Sequence, residues 1–578
     1  MQKMISLVSE RYFLPMSLLA IVVLSCIAYG ACINNGFVWD DETFIVNNPY
    51  IHDLASWPDY FTKSESISNV AALSRMYRPL QTVSFALDAA VWNSWAGGYH
   101  LTSLLLHIAA SFAIIFAFGN LVDRRAATLA AVIFSIHPAL SEGVLSLASR
   151  GNQLYTLFAL LAVGYFVRVS RPFDRNHLLS LLAVSLSLLS KEPAIIVVAL
   201  LPVIQAFFDR PWKIWSRQSV LLLAPFLALA GLYLAARMAV VDTSPVVNAY
   251  WGGSLGNTLI MQSQIFVRYF RLLVWPFILI GRYYEPYSDP LFLLYILINV
   301  LILLTAFVAF RRGAAGRLLA LAIAWFYISL APVSNIIPIP GSMMGERFIY
   351  FTFAGMFPLL AAAIWDLEPK RAYATAVSVS VLAAILLSFL IMDIQRTGVW
   401  KNNSAFFAVL AKQQPDAPLV QILAAKEEVA SGKAAAAVNR LERIIKTLST
   451  STPAEKSPAY YWYGRALLDA GRFEEAFQQF SIVVLLTRTI SSDLVPFLVE
   501  AAARSGNLGT ARSILEKELR TSPMNDAMWN NLGNILLMEG DAIGGRAAYA
   551  RALAINPANN EAAINFRNAG GISDLPQR

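Results

Sequence analysis

Several short motifs set ionisable side chains beside long apolar runs. Asp40 and Asp41 follow Phe37-Val38-Trp39, just past the first run. The charge on one carboxylate makes its neighbour harder to ionise, so one of the two can stay poised as a general base for a hydroxyl. A plainer use is solvated interfacial charge or a helix cap. Four cations recur in similar settings. They are Arg78 in Tyr77-Arg78-Pro79-Leu80, Arg150 in Ser149-Arg150-Gly151-Asn152, Lys191 in Ser190-Lys191-Glu192-Pro193 and Arg347 in Glu346-Arg347-x2-Tyr350. Arginine holds phosphate bidentately and lysine acts as a point charge. A lipid phosphate or pyrophosphate headgroup sits at this depth. Taken singly, each cation is better read as a salt bridge to Glu142, Glu192 or Glu346, or as a snorkelling side chain. Four of them beside an acidic pair favour a lipid-phosphate site. His100, which with Tyr99 opens the second run, and His137 and Glu142 in His137-Pro138-x3-Glu142 are supporting residues, with Glu192 and Glu346.

The chain has five His and no close His/Cys cluster, so a zinc site is not expected. Asp40, Asp41 and Glu142 are the one set that would suit a divalent cation through oxygen ligands. No other cofactor is indicated. There is no Walker loop, no Gly-rich dinucleotide fingerprint and no Gly-x-Ser-x-Gly elbow. A soluble type of nucleotide-sugar enzyme is therefore not supported.

The elements that must carry these residues are apolar. Of 578 residues, 57% are hydrophobic and 14% charged, against about 25% charged in a typical soluble chain. The expected class is all-α: a polytopic membrane bundle followed by a helical-repeat domain. A crossing takes about 20 apolar residues. Eleven spans are expected, over 14–33, 99–121, 126–143, 151–168, 177–190, 192–208, 218–239, 291–310, 317–334, 347–366 and 372–393. Segment 258–281 carries Arg268, Arg271 and Pro276 and reads as interfacial or re-entrant. The first run is longer than a signal-peptide core of about 7–15 residues and reads as a retained anchor. It contains both cysteines, Cys26 and Cys32, so no disulfide framework is expected.

Basic residues fall between alternate spans. Lys3 and Arg11, Arg124 and Arg125, Arg168, Arg171 and Arg175, Arg210, Lys213 and Arg217, Arg311, Arg312 and Arg317, and Lys370 and Arg371 mark one face. That face should be cytoplasmic, and the net charge of +8 is no sign of nucleic acid. An odd number of crossings then places the C-terminal domain outside, on the side of Asp40. The expected location is the inner membrane, with the N-terminus cytoplasmic and the repeats periplasmic.

The chain turns polar near Arg396. Residues 1–395 are read as the membrane domain, 396–416 as a linker and 417–578 as the repeats. Unit starts near Ser457, Ser492 and Asp526 fit the tetratricopeptide period of about 34 residues, and a weaker unit starts near Pro418. Stacked helix pairs make a concave face suited to a polypeptide, with Tyr460, Tyr463, Trp529 and Asn530 as candidate contacts. The repeats otherwise serve as support or as a dimer contact.

The motifs also occur in a telling order. Phe37-Val38-Trp39-Asp40-Asp41 with Asn47 and Asn48, Tyr77-Arg78-Pro79-Leu80, Tyr99-His100-Leu101 with His107, and His137-Pro138-x3-Glu142 come first. Ser190-Lys191-Glu192, Pro332-x-Ser334-Asn335, Glu346-Arg347-x2-Tyr350 and Trp400-x-Asn402 follow. The series resembles the transmembrane and TPR-containing O-mannosyltransferases and their bacterial relatives, in the GT-C glycosyltransferase superfamily. The resemblance implies a polyprenyl- or dolichyl-phosphate sugar donor, a protein hydroxyl acceptor and an acidic base in the first outer loop. In the wider superfamily an aromatic residue often stands three positions past an acidic pair, and Asp40-Asp41-x2-Phe44 matches that, favouring Asp40. The His137 motif has Leu140-Ser141 where eukaryotic members tend to carry a second His. The expected activity is an inverting transfer at the outer face. Alternatives are an oligosaccharyltransferase or polysaccharide-assembly enzyme using a lipid-linked glycan, a non-catalytic TPR scaffold, and a flippase. One-sided clustering of charge speaks against the last.

Overall fold

The computed structural model describes residues 2–68, 76–208, 216–241, 250–281, 283, 290–337, 343–366, 372–448 and 452–570. Arg210, Lys213, Lys370 and Arg371, named above as cytoplasmic markers, lie outside them. The described residues are helical and contain no strand. They form two compact units, Met1–Phe406 and Phe407–Arg578.

In the first unit, short polar residues start the apolar helices by accepting backbone N–H groups that have no partner within the helix. Asp123 does this for Arg124–Ser135, Asp174 for Arg175–Ser190, Ser216 for Arg217–Val240 and Ser254 for Leu255–Val274. The centre is packed closely enough to require glycine. A Cβ at Gly355 would lie 2.0 Å from the Trp325 ring.

The expectation of eleven crossings is corrected here. Among the described residues, 7 helices are long and apolar enough to cross a membrane. An eighth counts only if Arg124–Ser135 and Pro138–Leu145, bent by 63° at the break, make one span. The bend falls where Pro138 lacks an N–H to continue the helix. The expected spans 151–168, 177–190 and 192–208 correspond to helices of 17, 16 and 12 residues. At about 1.5 Å per residue these fall short of a hydrocarbon core of about 30 Å. Leu255–Val274, which carries Arg268 and Arg271, is not among the spanning helices. Seven crossings keep the parity inferred from eleven, and eight reverse it.

The second unit is a run of paired helices, from Pro418–Ala430 with Ala434–Thr447 to Asp526–Met538 with Ala542–Ile555. Each pair turns on a glycine with positive φ: Gly432 (+71°), Gly471 (+76°), Gly506 (+88°) and Gly540 (+90°). At each turn the next residue's N–H reaches back to a carbonyl five positions earlier, as in Arg472 to Leu467 at 2.9 Å and Asp541 to Leu536 at 2.8 Å. That bond closes the helix end and needs the left-handed glycine. Inside the pairs, small residues admit large rings. Gly533 leaves room for Tyr549, whose ring would be 2.5 Å from a Cβ there.

Candidate functional site

The loop carrying the acidic doublet is tied down on both sides. Asn35 donates from Nδ2 to the Thr397 carbonyl at 3.0 Å, and the Gly36 N–H donates to the Lys401 carbonyl at 2.9 Å. Trp39 then adopts φ +55°, a region that few bulky residues enter, and its N–H donates to Asn403 Oδ1 at 2.7 Å. Past this turn the two aspartates differ. Asp41 is fully buried. Its Oδ2 accepts the Val38 N–H at 3.0 Å and its Oδ1 the Ala148 N–H at 2.7 Å. Burial pushes its carboxyl up to about 7 against those two bonds, and the charge of Asp40 adds to the rise. Asp40 is half-buried and lies in the electrostatic field of Arg347.

Arg347 is held by Glu142. Its Nη1 donates to Oε1 at 2.6 Å and its backbone N–H to Oε2 at 2.8 Å. Arg78 donates from Nε to Glu192 Oε2 at 2.8 Å, and Glu192 Oε1 accepts the Tyr77 N–H at 3.0 Å. Lys191 donates from Nζ to Asn152 Oδ1 at 2.8 Å. Arg78, Arg347, Glu192 and Glu142 all act on its charge. Burial first, then the two arginines, pushes the Lys191 ammonium well below its ordinary value. Three of the four expected cations therefore converge, each of the two arginines with a glutamate partner. An incoming dianion would relieve the repulsion among them.

Arg150 stands apart. It is fully buried, and its Nη1 pairs with Asp88 Oδ2 at 2.5 Å. Its remaining N–H groups reach the Tyr99 carbonyl at 2.8 Å, the Ser84 carbonyl at 3.3 Å and Ser103 Oγ at 3.4 Å. Its guanidinium carbon lies 4.7 Å from the centre of the Phe85 ring. Nothing in the sequence singles out Asp88, because a single acid in an amphipathic helix reads as surface.

Glu346 looks away from Arg347. Its Oε1 accepts the Ile280 N–H at 2.7 Å and the Tyr283 hydroxyl at 2.8 Å, and its Oε2 accepts Arg396 Nη2 at 3.0 Å. Arg396 stands where the sequence turns polar, and nothing around it in the sequence marks it as a buried partner. His100 and His137 are buried braces. His100 Nε2 contacts the Gly36 carbonyl at 3.3 Å, and His137 accepts the Ala139 N–H at 3.3 Å among Phe353, Phe357 and Phe389. Among the described residues no group of three His, Cys, Asp or Glu could hold a metal ion. The oxygens of Asp41 accept backbone N–H groups, and those of Glu142 accept the backbone and side chain of Arg347.

In the repeats, Tyr460 and Tyr463 are half-buried. Trp529 donates from Nε1 to the Pro523 carbonyl at 2.9 Å. Asn530 is 2% exposed, and its Oδ1 accepts Asn565 Nδ2 at 2.9 Å. A cleft of about 230 Å³ opens on the neighbouring residues instead, lined by Pro458, Tyr461, Trp462 and Leu494 with the hydroxyls of Ser457 and Thr487 among others.

Residues 422–487 and 498–560 match a tetratricopeptide repeat family model. A Caenorhabditis elegans protein O-mannosyl-transferase is 26% identical over 407 residues, covering 68% of this chain and 57% of its own length. The chain is similar, at modest identity, to proteins named protein O-mannosyl-transferases. A human protein of that name is 21% identical, covering 66% of this chain and 60% of its own. A Drosophila melanogaster one is 30% identical over 184 residues, covering 30% of this chain and 20% of its own. The chain thus spans little more than half the length of the relatives it matches most extensively. This chain carries tetratricopeptide repeats, and its apolar helices make it a membrane protein.

Proposed function

We propose that this protein transfers a hexose, mannose by its relatives' names, from a polyprenyl-phosphate donor to a hydroxyl of a protein acceptor. The half-buried Asp40, within the electrostatic reach of Arg347, is the observation that carries this reading. Asp40 takes the proton of a Ser or Thr hydroxyl as its oxygen attacks the anomeric carbon. The bond from that carbon to the phosphate oxygen breaks with inversion, and the departing lipid phosphate takes up negative charge. Arg347, Lys191 and Arg78 meet that charge as it develops, while Glu142 and Glu192 hold the two arginines in place. In this scheme Asp41 and Arg150 are framework, one bracing the loop and the other the helix ends around Asp88. The reaction is assigned to the outer, periplasmic face, with the acceptor polypeptide presented by the cleft at Tyr461 and Trp462. Binding energy far from the reacting atoms then orients the hydroxyl.

Intact-mass spectrometry of envelope and secreted proteins tests this, comparing hosts with wild-type chain and with Asp40→Asn. Loss of a hexose-sized increment from a Ser- or Thr-bearing protein is expected, with the variant folded. An unchanged increment removes Asp40 from the chemistry. A larger increment that disappears points to block transfer of a glycan instead. Replacing Asp41 by Asn as well would blur the result, because one of the two backbone N–H groups at its carboxylate would lose its acceptor.

A further inference from the structure

We propose that Asn403 is the positioning residue that sets the aim of Asp40, an inference that rests on Asp40 as the general base. Trp39 immediately precedes Asp40 and has φ +55°, where the Cβ of an L residue crowds the following carbonyl. Something must hold it there. Its N–H donates to Asn403 Oδ1 at 2.7 Å, and the same amide donates from Nδ2 to Glu42 Oε1 at 2.7 Å. One planar side chain therefore grips the residue before the doublet and the residue after it. Its neighbour Asn402 is used differently, accepting the Ala405 N–H at 2.9 Å as the cap of helix Asn403–Gln413. The Trp39 ring lies 5.7 Å from that of Phe406, which packs 4.5 Å from that of Trp400.

Rotation about φ of one residue redirects everything after it. If Trp39 relaxed to negative φ, the Asp40 carboxylate would leave the backbone in a different direction. Only a side chain with both an acceptor and a donor at this reach makes the two bonds. Aspartate lacks the donor and would set a second carboxylate against Glu42. Alanine lacks both.

The test uses the full-length chain in detergent, with a synthetic polyprenyl-phosphate mannose and a threonine-containing peptide. Asn403→Ala is expected to lower kcat about tenfold, equivalent to about 1.4 kcal/mol, with donor KM within about twofold because no donor contact is lost. Trp39→Gly supplies the second reading, since glycine enters positive φ without help. In that background Asn403→Ala should cost much less. Equal losses in the two backgrounds overturn the proposal, as does a kcat for Asn403→Ala within about twofold of wild type. If the wild-type chain transfers no mannose, the glycosyltransferase reading is what fails. The clamp is then judged by hydrogen exchange of amides 38–42. Faster exchange in Asn403→Ala, with little further change in the double variant, supports it, and unchanged exchange refutes it.

Discussion

Replacing Arg150 should unfold the protein before it weakens donor binding. The guanidinium is fully buried, its partner Asp88 is 7% exposed at the side chain, and the pair is separated by 2.5 Å. So little solvent reaches the pair that screening does not reduce its worth. Arg150→Met removes a charge-assisted bond and leaves Asp88 without its cation in a dry site, where Thr102 Oγ1 still donates to its Oδ1 at 2.7 Å. Breaking one side of a buried pair costs about 3–5 kcal/mol. Loss of the bonds to the Tyr99 and Ser84 carbonyls adds about 1–3 kcal/mol for acceptors left unmet. Removing both charges should recover most of this, because well-packed apolar or neutral replacements of a buried pair are often neutral. The assay is a thermal melt of the full chain in detergent for wild type, Arg150→Met, Asp88→Asn and the double variant. Both single variants should melt well below wild type, and the double should melt above Arg150→Met. If Arg150→Met melts like wild type and instead raises the donor KM, Arg150 contacts the phosphate and the framework assignment is wrong.

Three further outcomes follow from the same geometry. Arg347→Lys keeps the charge but loses the guanidinium geometry, so its donor KM should rise about tenfold, the worth of one charge-assisted hydrogen bond; an unchanged KM in steady-state assays removes Arg347 from the phosphate site. Asp41→Asn should destabilise the chain in a pH-dependent way. A carboxyl raised from its ordinary range to about 7 contributes stability that is complete below its unfolded value and is lost as pH rises through 7. The melting-temperature gap to wild type should therefore narrow from pH 5 to pH 8, and a gap that widens refutes the burial argument. Gly533→Ala places a Cβ 2.5 Å from the Tyr549 ring, and overpacking of this kind costs about 1–3 kcal/mol; a melt unchanged in the full chain shows that the repeat yields there.

The helical class, the membrane setting and the repeats were legible because each is written in local periodicity. Long apolar runs exclude water along a whole helix, and a glycine at each inter-helix turn is required by a backbone angle, whatever lies around it. The motifs around Asp40, Lys191 and Arg347 were legible for a related reason, since charge beside apolar sequence is costly and stands out. Partner choice was not legible. Asp88 and Arg396 are ordinary letters in the sequence, and only folding brings them to Arg150 and Glu346. The number of crossings also changed, because hydropathy alone does not show where helices such as Arg175–Ser190 end.

Residue types and their spacing thus determined that there is an acidic doublet and a set of cations beside a membrane. Tertiary structure alone decided that Asp41 is sealed against two backbone N–H groups while Asp40 stays half-buried in the field of Arg347, and that Arg150 is spent on Asp88. Two adjacent identical side chains carry the same chemistry in a sequence. Their difference comes from burial and hydrogen-bond partners, which are properties of the space around them.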